Sequence, residues 1–252
     1  MSTSYKNFAY VYDTFMDNIP YKEWSNYLIH LFSKYHITAG TLVELGCGTG
    51  TMALLMNKSG FHIIGIDNST DMLTIAADKT YGNENITLLL QDMRKLELGM
   101  KVDGCYCVCD SLNYLLNSDD VLMTFQKVKE HLVSNGIFIF DLKTLYFYQE
   151  LLGDQTFCDH QRNCSYTWEN CFFEEDSINQ YDLTIFTRVN DTPLFERFCE
   201  THHQKAYSLS EIVDLLKQAG LEYVTAYDAF TENAPHEKSE RIYIIARNGD
   251  NT

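Results

Sequence analysis

The stretch Val43-Glu44-Leu45-Gly46-Cys47-Gly48-Thr49-Gly50 decides the fold prediction, because a short apolar run ends there in closely spaced glycines. Glycines at a turn from strand to helix let the backbone bend sharply and let a ligand lie against it without a Cβ clash. A dinucleotide-binding loop would place its third glycine at position 51, where the chain has Thr51. We therefore expect a ligand without a pyrophosphate, although a plain tight turn would show the same glycines.

Outward from this loop, short apolar runs alternate with helical patterns. Strands are predicted over 41–45, 61–67, 86–92, 102–110 and 136–142, and helices over 21–35, 49–58, 69–80 and 118–132, the last capped by Ser118. The alternation predicts a mostly parallel sheet with helices on both faces. A further helix that opens at Ser208 and two strands over 221–228 and 241–247 complete a seven-stranded sheet.

Residues 146–205 follow a different pattern, with 12 aromatic side chains in 60 positions and alternating polar and apolar residues. This pattern predicts antiparallel strands inserted after the fifth strand, and we expect them to form a substrate-binding lid. The expected organisation is an N-terminal aromatic arm and helix over 1–37, a core over 38–145 and 206–252, and the lid over 146–205.

Composition narrows the function classes. The 252 residues carry 19 Lys and Arg against 35 Asp and Glu, a net charge of -16, which disfavours a nucleic-acid partner. No apolar run reaches the length of a membrane span, and the N-terminus lacks the pattern of a signal peptide. The eight cysteines match no zinc spacing. We expect a cytoplasmic protein, either a monomer or a homodimer, without a metal or a membrane partner.

Acidic residues follow the predicted strands at the edge where ligands of open α/β sheets bind. Asp67 comes 21 residues after Gly46, and a carboxylate there can accept hydrogen bonds from the two hydroxyls of a ribose. Gln91-Asp92-Met93 follows the third strand, and offers a carboxylate for an adenine amine and an apolar side chain for its ring. Asp110 ends the fourth strand at the same edge.

Together these motifs resemble the class I S-adenosylmethionine-dependent methyltransferases. Glu44 to Gly50 matches the first motif of that family, Gly65-Ile66-Asp67-Asn68-Ser69-Thr70-Asp71-Met72 the second, and Gln91-Asp92-Met93 the third. The resemblance covers about 38–145 and 207–247 and implies a Rossmann-like fold, with S-adenosylmethionine as cofactor and S-adenosylhomocysteine as product. Tyr12-Asp13 and residues 19–24 look like small bacterial members, including aminosugar and glycine N-methyltransferases.

The resemblance also implies which residues hold the cofactor. They are Glu44, Gly46, Cys47, Gly48 and Gly50 for the methionine part, Asp67 for the ribose, Asn68 and Met72 beside the adenine, Asp92 and Met93 for its amine and ring, and Asp110 below the sulfonium. A helix-capping role for Asp67 and plain core packing for Met72 stay open as alternatives.

Methyl transfer from a sulfonium needs mainly orientation, and a base if the nucleophile carries a proton. The first 27 residues hold eight aromatic side chains, most of which would cover the sheet. The lid residues Glu200, His202 and Gln204 alternate on a predicted strand and should point the same way, opposite to His203. The predicted catalytic residues are His202 and Tyr12, and the predicted substrate contacts are Tyr21, Trp24, Glu200 and Gln204.

The leading hypothesis is methyl transfer to a nitrogen or oxygen atom of a small molecule. The lid segment carries a net charge of -7, which would favour an amine acceptor if its acids faced the site. Three alternatives stay open: a non-catalytic protein that binds the cofactor as a sensor or assembly partner, a nicotinamide dehydrogenase, and an enzyme that methylates a basic protein.

Overall fold

The computed structural model of the protein describes residues 12–13, 19–161, 163–189 and 192–249. Its helices are α1 (Tyr21–Lys34), α2 (Thr51–Lys58), α3 (Thr70–Lys79), α4 (Ser118–His131) and α5 (Leu209–Ala219). The strands are β1 (Gly40–Leu45), β2 (Phe61–Asp67), β3 (Ile86–Leu90), β4 (Val102–Cys107), β5 (Leu132–Lys143), β6 (Thr156–His160), β7 (Cys164–Phe173), β8 (Ile178–Arg188), β9 (Phe195–Lys205), β10 (Glu222–Asp228) and β11 (Arg241–Arg247). Most of the predicted N-terminal arm, residues 1–11 and 14–18, lies outside the described residues.

The main sheet has seven strands in the order β3-β2-β1-β4-β5-β11-β10. The first five are parallel, β11 runs antiparallel to β5, and β10 runs antiparallel to β11. The prediction of a Rossmann-like, mostly parallel seven-stranded sheet is confirmed. The strand order reverses between β1 and β4, and the crevice beyond the carboxyl ends of these two strands is where such sheets bind ligands.

Helices cover both faces of this sheet because its central strands are apolar on both sides. In β5, Phe138 and Phe140 point to one face, where they pack with Phe125 of α4 and with α5. Ile137 and Ile139 point to the other face and join the cluster built by α1 and α2. None of the helices in the described part of the chain has both the length and the apolar character that crossing a membrane requires.

The helix ends follow the predicted capping chemistry with one difference. The Ser208 side chain accepts a hydrogen bond from the Glu211 N–H at 3.2 Å and starts α5. The predicted cap of α4, Ser118, is wrong. Asn117 takes that position and accepts from the Asp120 N–H at 2.9 Å, while the Ser118 hydroxyl donates to Glu211 of α5. Asparagine caps as well as serine, and the tertiary contact uses the serine elsewhere.

The second sheet is antiparallel, in the order β6-β7-β8-β9, and lies in the chain between β5 and α5. The prediction of antiparallel strands after the fifth strand is confirmed. A short π-helix over Phe147–Leu152, which the sequence pattern did not reveal, precedes it. Its Tyr148 and Leu152 are buried against this sheet together with Ala206.

Gly104 in β4 gives a test of the core packing. A Cβ at this position would lie 2.7 Å from a ring carbon of Phe32 and 2.8 Å from a methyl group of Leu42. We expect Gly104→Ala to lower the free energy of unfolding by about 1 to 3 kcal/mol, because the added methyl group overpacks the core. Denaturant unfolding measures this change. Gly99→Ala is the matched control, since nothing lies within 4 Å of its Cβ, and an equal loss in both variants would contradict the packing argument.

Candidate active site

A cavity of about 470 Å³ lies at the carboxyl ends of the central strands, against the glycine loop. Nine of the residues predicted to hold the cofactor line it: Glu44, Gly46, Cys47, Gly48, Asp67, Asn68, Met72, Asp92 and Met93. We call it the loop cavity. The structure therefore brings together groups from the ends of three strands that are far apart in the sequence.

Asp67 ties the glycine loop to the end of β2. The Gly48 N–H donates to its Oδ2 at 2.8 Å, and the Ser69 N–H donates to its Oδ1 at 2.8 Å. Burial raises the pKa of Asp67, and these hydrogen bonds oppose that rise. A carboxylate has about four acceptor positions, so the group retains capacity toward the cavity. The alternative of Asp67 as helix cap is wrong, because the Ser69 side chain caps α3.

Two glycines of the loop have different tasks. Gly46 has φ +70° and a Cβ there would lie 2.8 Å from Ser111 Oγ, so the loop passes close to the β4 edge only without a side chain. Gly50 has φ +77° at the start of α2, and its Cβ would lie 3.1 Å from Ala76 of α3. Gly50 thus has a role in packing α2 against α3; it is not among the residues lining the loop cavity, and its contact with the cofactor stays a prediction.

Glu44 is buried at the base of the loop cavity and accepts a hydrogen bond from Tyr106 Oη at 3.0 Å. Burial raises its pKa to about 8, and the neighbouring Asp67 adds to the rise while the tyrosine opposes it. The glutamate therefore keeps its proton near neutral pH unless a cation enters the cavity. A positively charged ligand would stabilise its ionised form.

Asp92 is held by Arg94, a partner that the motif did not indicate. Arg94 Nη2 lies 2.5 Å from Asp92 Oδ2, and Arg94 Nη1 lies 2.9 Å from Asp120 Oδ2 at the start of α4. The hydrogen bonds from the Arg94 side chain lower the pKa of Asp92. This bridge fixes the loop after β3 against α4 and keeps a negative charge at that wall.

A second cavity, of about 810 Å³, lies between the β4 edge and the antiparallel sheet. We call it the aromatic cavity because eight of its lining residues are Tyr12, Trp24, Tyr114, Phe147, Tyr166, Trp168, Tyr181 and Phe230. Tyr12, Cys109 and Tyr114 line both cavities, so the two spaces meet at these residues.

The antiparallel sheet and its leading π-helix line the aromatic cavity with uncharged side chains. These are Phe147, Leu152, Tyr166, Trp168, Tyr181 and Leu183. The expectation that acids of this segment favour an amine is therefore not supported, because its charges lie elsewhere. The charged lining residues come from the core, and they include Asp110, Lys143 and Arg241.

Asp110 lines the aromatic cavity and not the loop cavity, which differs from its predicted place. Its Oδ1 lies 2.8 Å from Arg241 Nη2, and its Oδ2 lies 3.2 Å from Lys143 Nζ. Burial pushes the pKa of Asp110 up, but the charges of Lys143 and Arg241 outweigh this and lower it. Gln204 also donates to Asp110, at 2.6 Å, and accepts from Tyr148 Oη; it is buried and lines neither cavity.

The comparisons with known proteins agree with this architecture. Residues 42–136 match a family model described as a methyltransferase domain. The chain is 32% identical to "Putative methyltransferase YqeM" of Bacillus subtilis (strain 168), with 96% of each chain covered. A solved S-adenosylmethionine-dependent methyltransferase from Clostridium acetobutylicum ATCC 824 superposes with a TM-score of 0.86 at 28% identity, covering 98% of this chain and 99% of that one. The chain belongs to the S-adenosylmethionine-dependent methyltransferases.

A third relative is similar over part of the methyltransferase. The dTDP-3-amino-3,4,6-trideoxy-alpha-D-glucopyranose N,N-dimethyltransferase of Streptomyces venezuelae is 30% identical over 101 residues, which is 40% of this chain and 41% of that protein.

The predicted catalytic and substrate residues of the methyltransferase divide into four groups, according to whether they line both cavities, the loop cavity only, the aromatic cavity only, or neither. Tyr12 lies where the two cavities meet. Tyr21 lines the loop cavity only and is hydrogen-bonded to Tyr12, and burial raises its pKa. Trp24 lines the aromatic cavity with the Arg241 guanidinium 5.0 Å from its ring centroid.

Glu200 and His202 are buried behind the cavity walls and line neither cavity, because β9 turns its alternate residues toward the interior. His202 Nδ1 lies 3.3 Å from the hydroxyl oxygen of Tyr114, a residue that lines both cavities. His203 points opposite to His202, as expected, but it lines the loop cavity, where no functional role was predicted for it. Sequence reasoning did not single out Tyr114 as a site residue, although it follows Asp110 in the same loop.

Glu44 predicts the pH dependence of stability. The unfolded chain loses this proton near the ordinary pKa of 4.5 and the folded chain keeps it to about 8, so the free energy of unfolding falls as pH rises across that window. Glu44→Gln keeps an acceptor for Tyr106 and removes the titration. We expect it to exceed the wild type in stability at high pH by about 1 to 4 kcal/mol and to match it at low pH.

Denaturant unfolding of both proteins near pH 4.5 and near pH 8 measures this difference. Glu84→Gln, at an exposed position, is the matched control and should follow the wild type at both pH values. Parallel profiles of the wild type and Glu44→Gln would contradict the assignment of the titration to Glu44.

Proposed function

We propose that this methyltransferase moves the methyl group of S-adenosylmethionine to a nitrogen or oxygen atom of a small molecule in the aromatic cavity. The observation that carries the proposal is the meeting of the two cavities at Tyr12, Cys109 and Tyr114. An in-line displacement needs the donor methyl group and the nucleophile aligned across a short gap. None of the comparisons supports the alternative of a non-catalytic cofactor-binding protein.

The residues that line the loop cavity support the binding of the cofactor there. The cofactor, when bound, supplies an electrophilic methyl carbon on a sulfonium. Its ammonium group would ionise the buried Glu44, and its ribose hydroxyls would donate to Asp67, whose outer lone pairs face the cavity in this proposal. Asp92, oriented by Arg94, would accept from the adenine amine, with Met72 and Met93 against the ring.

The aromatic cavity supports a small organic acceptor with an apolar face. Aromatic rings pack against flat or cyclic molecules, and they stabilise an ammonium group by cation–π attraction. The Streptomyces venezuelae relative is named for methylating an aminosugar, so amines are the first acceptors to test and hydroxyl compounds the second. Tyr12, at the meeting point, would line the path of the methyl group. A cytoplasmic location and a monomeric or dimeric state stay predictions from the sequence.

Cofactor binding should raise the melting temperature. We expect S-adenosylmethionine and S-adenosylhomocysteine to stabilise the protein and NAD to have no effect; a ligand at about 100 times its Kd adds about 2.7 kcal/mol. In Asp67→Asn the loss of the charged acceptor should weaken binding about 10- to 100-fold, measured by calorimetry. Asp78→Asn, exposed on α3, is the matched control. Stabilisation by NAD alone would overturn the assignment of the loop cavity.

Acceptor binding should change the intrinsic fluorescence, because both tryptophans of the chain, Trp24 and Trp168, line the aromatic cavity. The experiment incubates the protein with S-adenosylmethionine and panels of aminosugars, simple amines, phenols and hydroxy compounds, and quantifies S-adenosylhomocysteine. We expect the active compounds to change tryptophan emission, with a smaller change in Trp168→Phe. Turnover without any fluorescence response would place the acceptor elsewhere, and no turnover with any panel would contradict small-molecule methylation.

A further inference from the structure

Four polar side chains contact one another in a row between the buried face of the antiparallel sheet and the meeting point of the cavities. They are Glu200, His202, Tyr114 and Tyr181, and we call this row of contacts the line. Glu200 Oε2 lies 3.3 Å from His202 Nε2, and His202 Nδ1 lies 3.3 Å from Tyr114 Oη. Tyr114 Oη lies 2.5 Å from Tyr181 Oη. The side chains of His202 and Glu200 are 1% and 4% exposed, whereas Tyr114 lines both cavities.

The folds of two segments create this line. Alternation along β9 puts Glu200 and His202 on the same buried face, and the β8–β9 register places Tyr181 opposite His202. The rings of Tyr181 and His202 stack at 4.8 Å with an interplanar angle of 12°. Tyr114 belongs to the core, at the end of the helical turn that follows β4, and its ring meets the His202 ring edge-on.

Packing alone does not account for this arrangement. Burial of a carboxylate and an imidazole is costly, and apolar residues of similar size often give equal or greater stability. Hydrolases of unrelated folds activate a hydroxyl group with an imidazole that contacts it and a carboxylate that contacts the imidazole. Here the terminal hydroxyl is a phenol at the place where the methyl group would pass.

We infer that Tyr114 takes the proton from the acceptor, and that His202 and Glu200 are positioning residues that act through Tyr114. This inference rests on the proposed function. The Glu200 carboxylate, at an ion-pair distance of 3.3 Å from Nε2, favours the His202 tautomer with its proton on that nitrogen, so the lone pair of Nδ1 would accept the Tyr114 hydroxyl. Tyr181 donates to Tyr114 Oη and keeps that oxygen directed to the cavities.

An acceptor that carries a hydroxyl or ammonium group must lose a proton when it is methylated. The acceptor proton moves to Tyr114 Oη while the Tyr114 proton moves to His202 Nδ1, which becomes an imidazolium paired with Glu200. The acceptor lone pair forms a bond to the methyl carbon, and the carbon–sulfur pair stays on sulfur as the neutral thioether. The acceptors that use this line are therefore hydroxyl compounds and protonated amines, not thioethers or tertiary amines without a proton.

Glu200→Gln should exchange the proton-bearing nitrogen of His202 while the side chain at position 200 keeps its size and shape. A glutamine amide donates to His202 Nε2, so the ring proton moves to Nδ1 and Tyr114 loses its proton acceptor. Nitrogen-15 NMR of histidine-labelled full-length protein, with the His202 signal identified by its loss in His202→Asn, reports the tautomer. We expect Nε2–H in the wild type, Nδ1–H in Glu200→Gln, and an altered Nδ1 shift in Tyr114→Phe. Nδ1–H in the wild type would overturn the inference.

A second experiment measures kcat and KM for the acceptors that the panels show to be active, with S-adenosylmethionine in excess. We expect Glu200→Gln and Tyr114→Phe to lower kcat about 100-fold with KM unchanged, because the line acts on the proton and not on binding. Glu196→Gln, exposed on the same strand, is the matched control and should keep the wild-type kcat. Unchanged kcat in both variants would overturn the inference. If no panel compound is methylated, the proposed function fails. The NMR experiment still decides which nitrogen of His202 carries the proton.

Discussion

The site depends on the hydrogen bonds that the Asp141 carboxylate accepts from the turn after β4. It accepts the backbone N–H groups of Cys109 and Asp110 at 3.1 and 2.8 Å, two residues with φ of 59° and 53°. Such left-handed conformations cost about 1 to 3 kcal/mol each outside glycine, so they persist only where other bonds stabilise them. Arg241 compensates the buried charge at 2.7 Å. The turn directs the chain from β4 to Tyr114, where the two cavities meet.

The two cavities differ in charge in a way that suits two ligands. In the described lining of the loop cavity, the acids Asp67, Asp92 and Asp120 outnumber the one arginine, Arg94, and Glu44 adds a negative charge when a cation enters. This balance attracts a cation such as a sulfonium compound with an ammonium group. In the aromatic cavity, Lys143 and Arg241 are paired with Asp110, so the acceptor that we propose for this cavity would be selected by ring packing and not by net charge.

The sequence was informative where local pattern decides the outcome and failed where distant residues do. The strand at 61–67 was predicted with its observed bounds, because it is short, apolar and bounded by Gly60 and an acid. The place of Asp110 could not be read from its loop, since Lys143 and Arg241 lie on other strands. Alternation on β9 correctly put His202 and Glu200 on one face, but it could not show that Tyr114 stands between that face and the cavities.

The antiparallel sheet is attached to the core through β9. Asn113 donates to the Lys205 carbonyl at 2.8 Å, Gln204 donates to Asp110, and His202 contacts Tyr114, so its last strand is fixed to the loop after β4. The aromatic wall comes from β7 and β8. Among the contacts described above, β8 reaches this loop through the hydroxyl of Tyr181, which bonds Tyr114, whereas β7 makes no such bond. Tyr166 and Trp168 lie on β7, so substitutions there can reshape the aromatic cavity without moving the meeting point of the cavities. Under the function proposed above, acceptor choice and methyl-transfer geometry would then be separable within one fold, because different strands of the same sheet would control them.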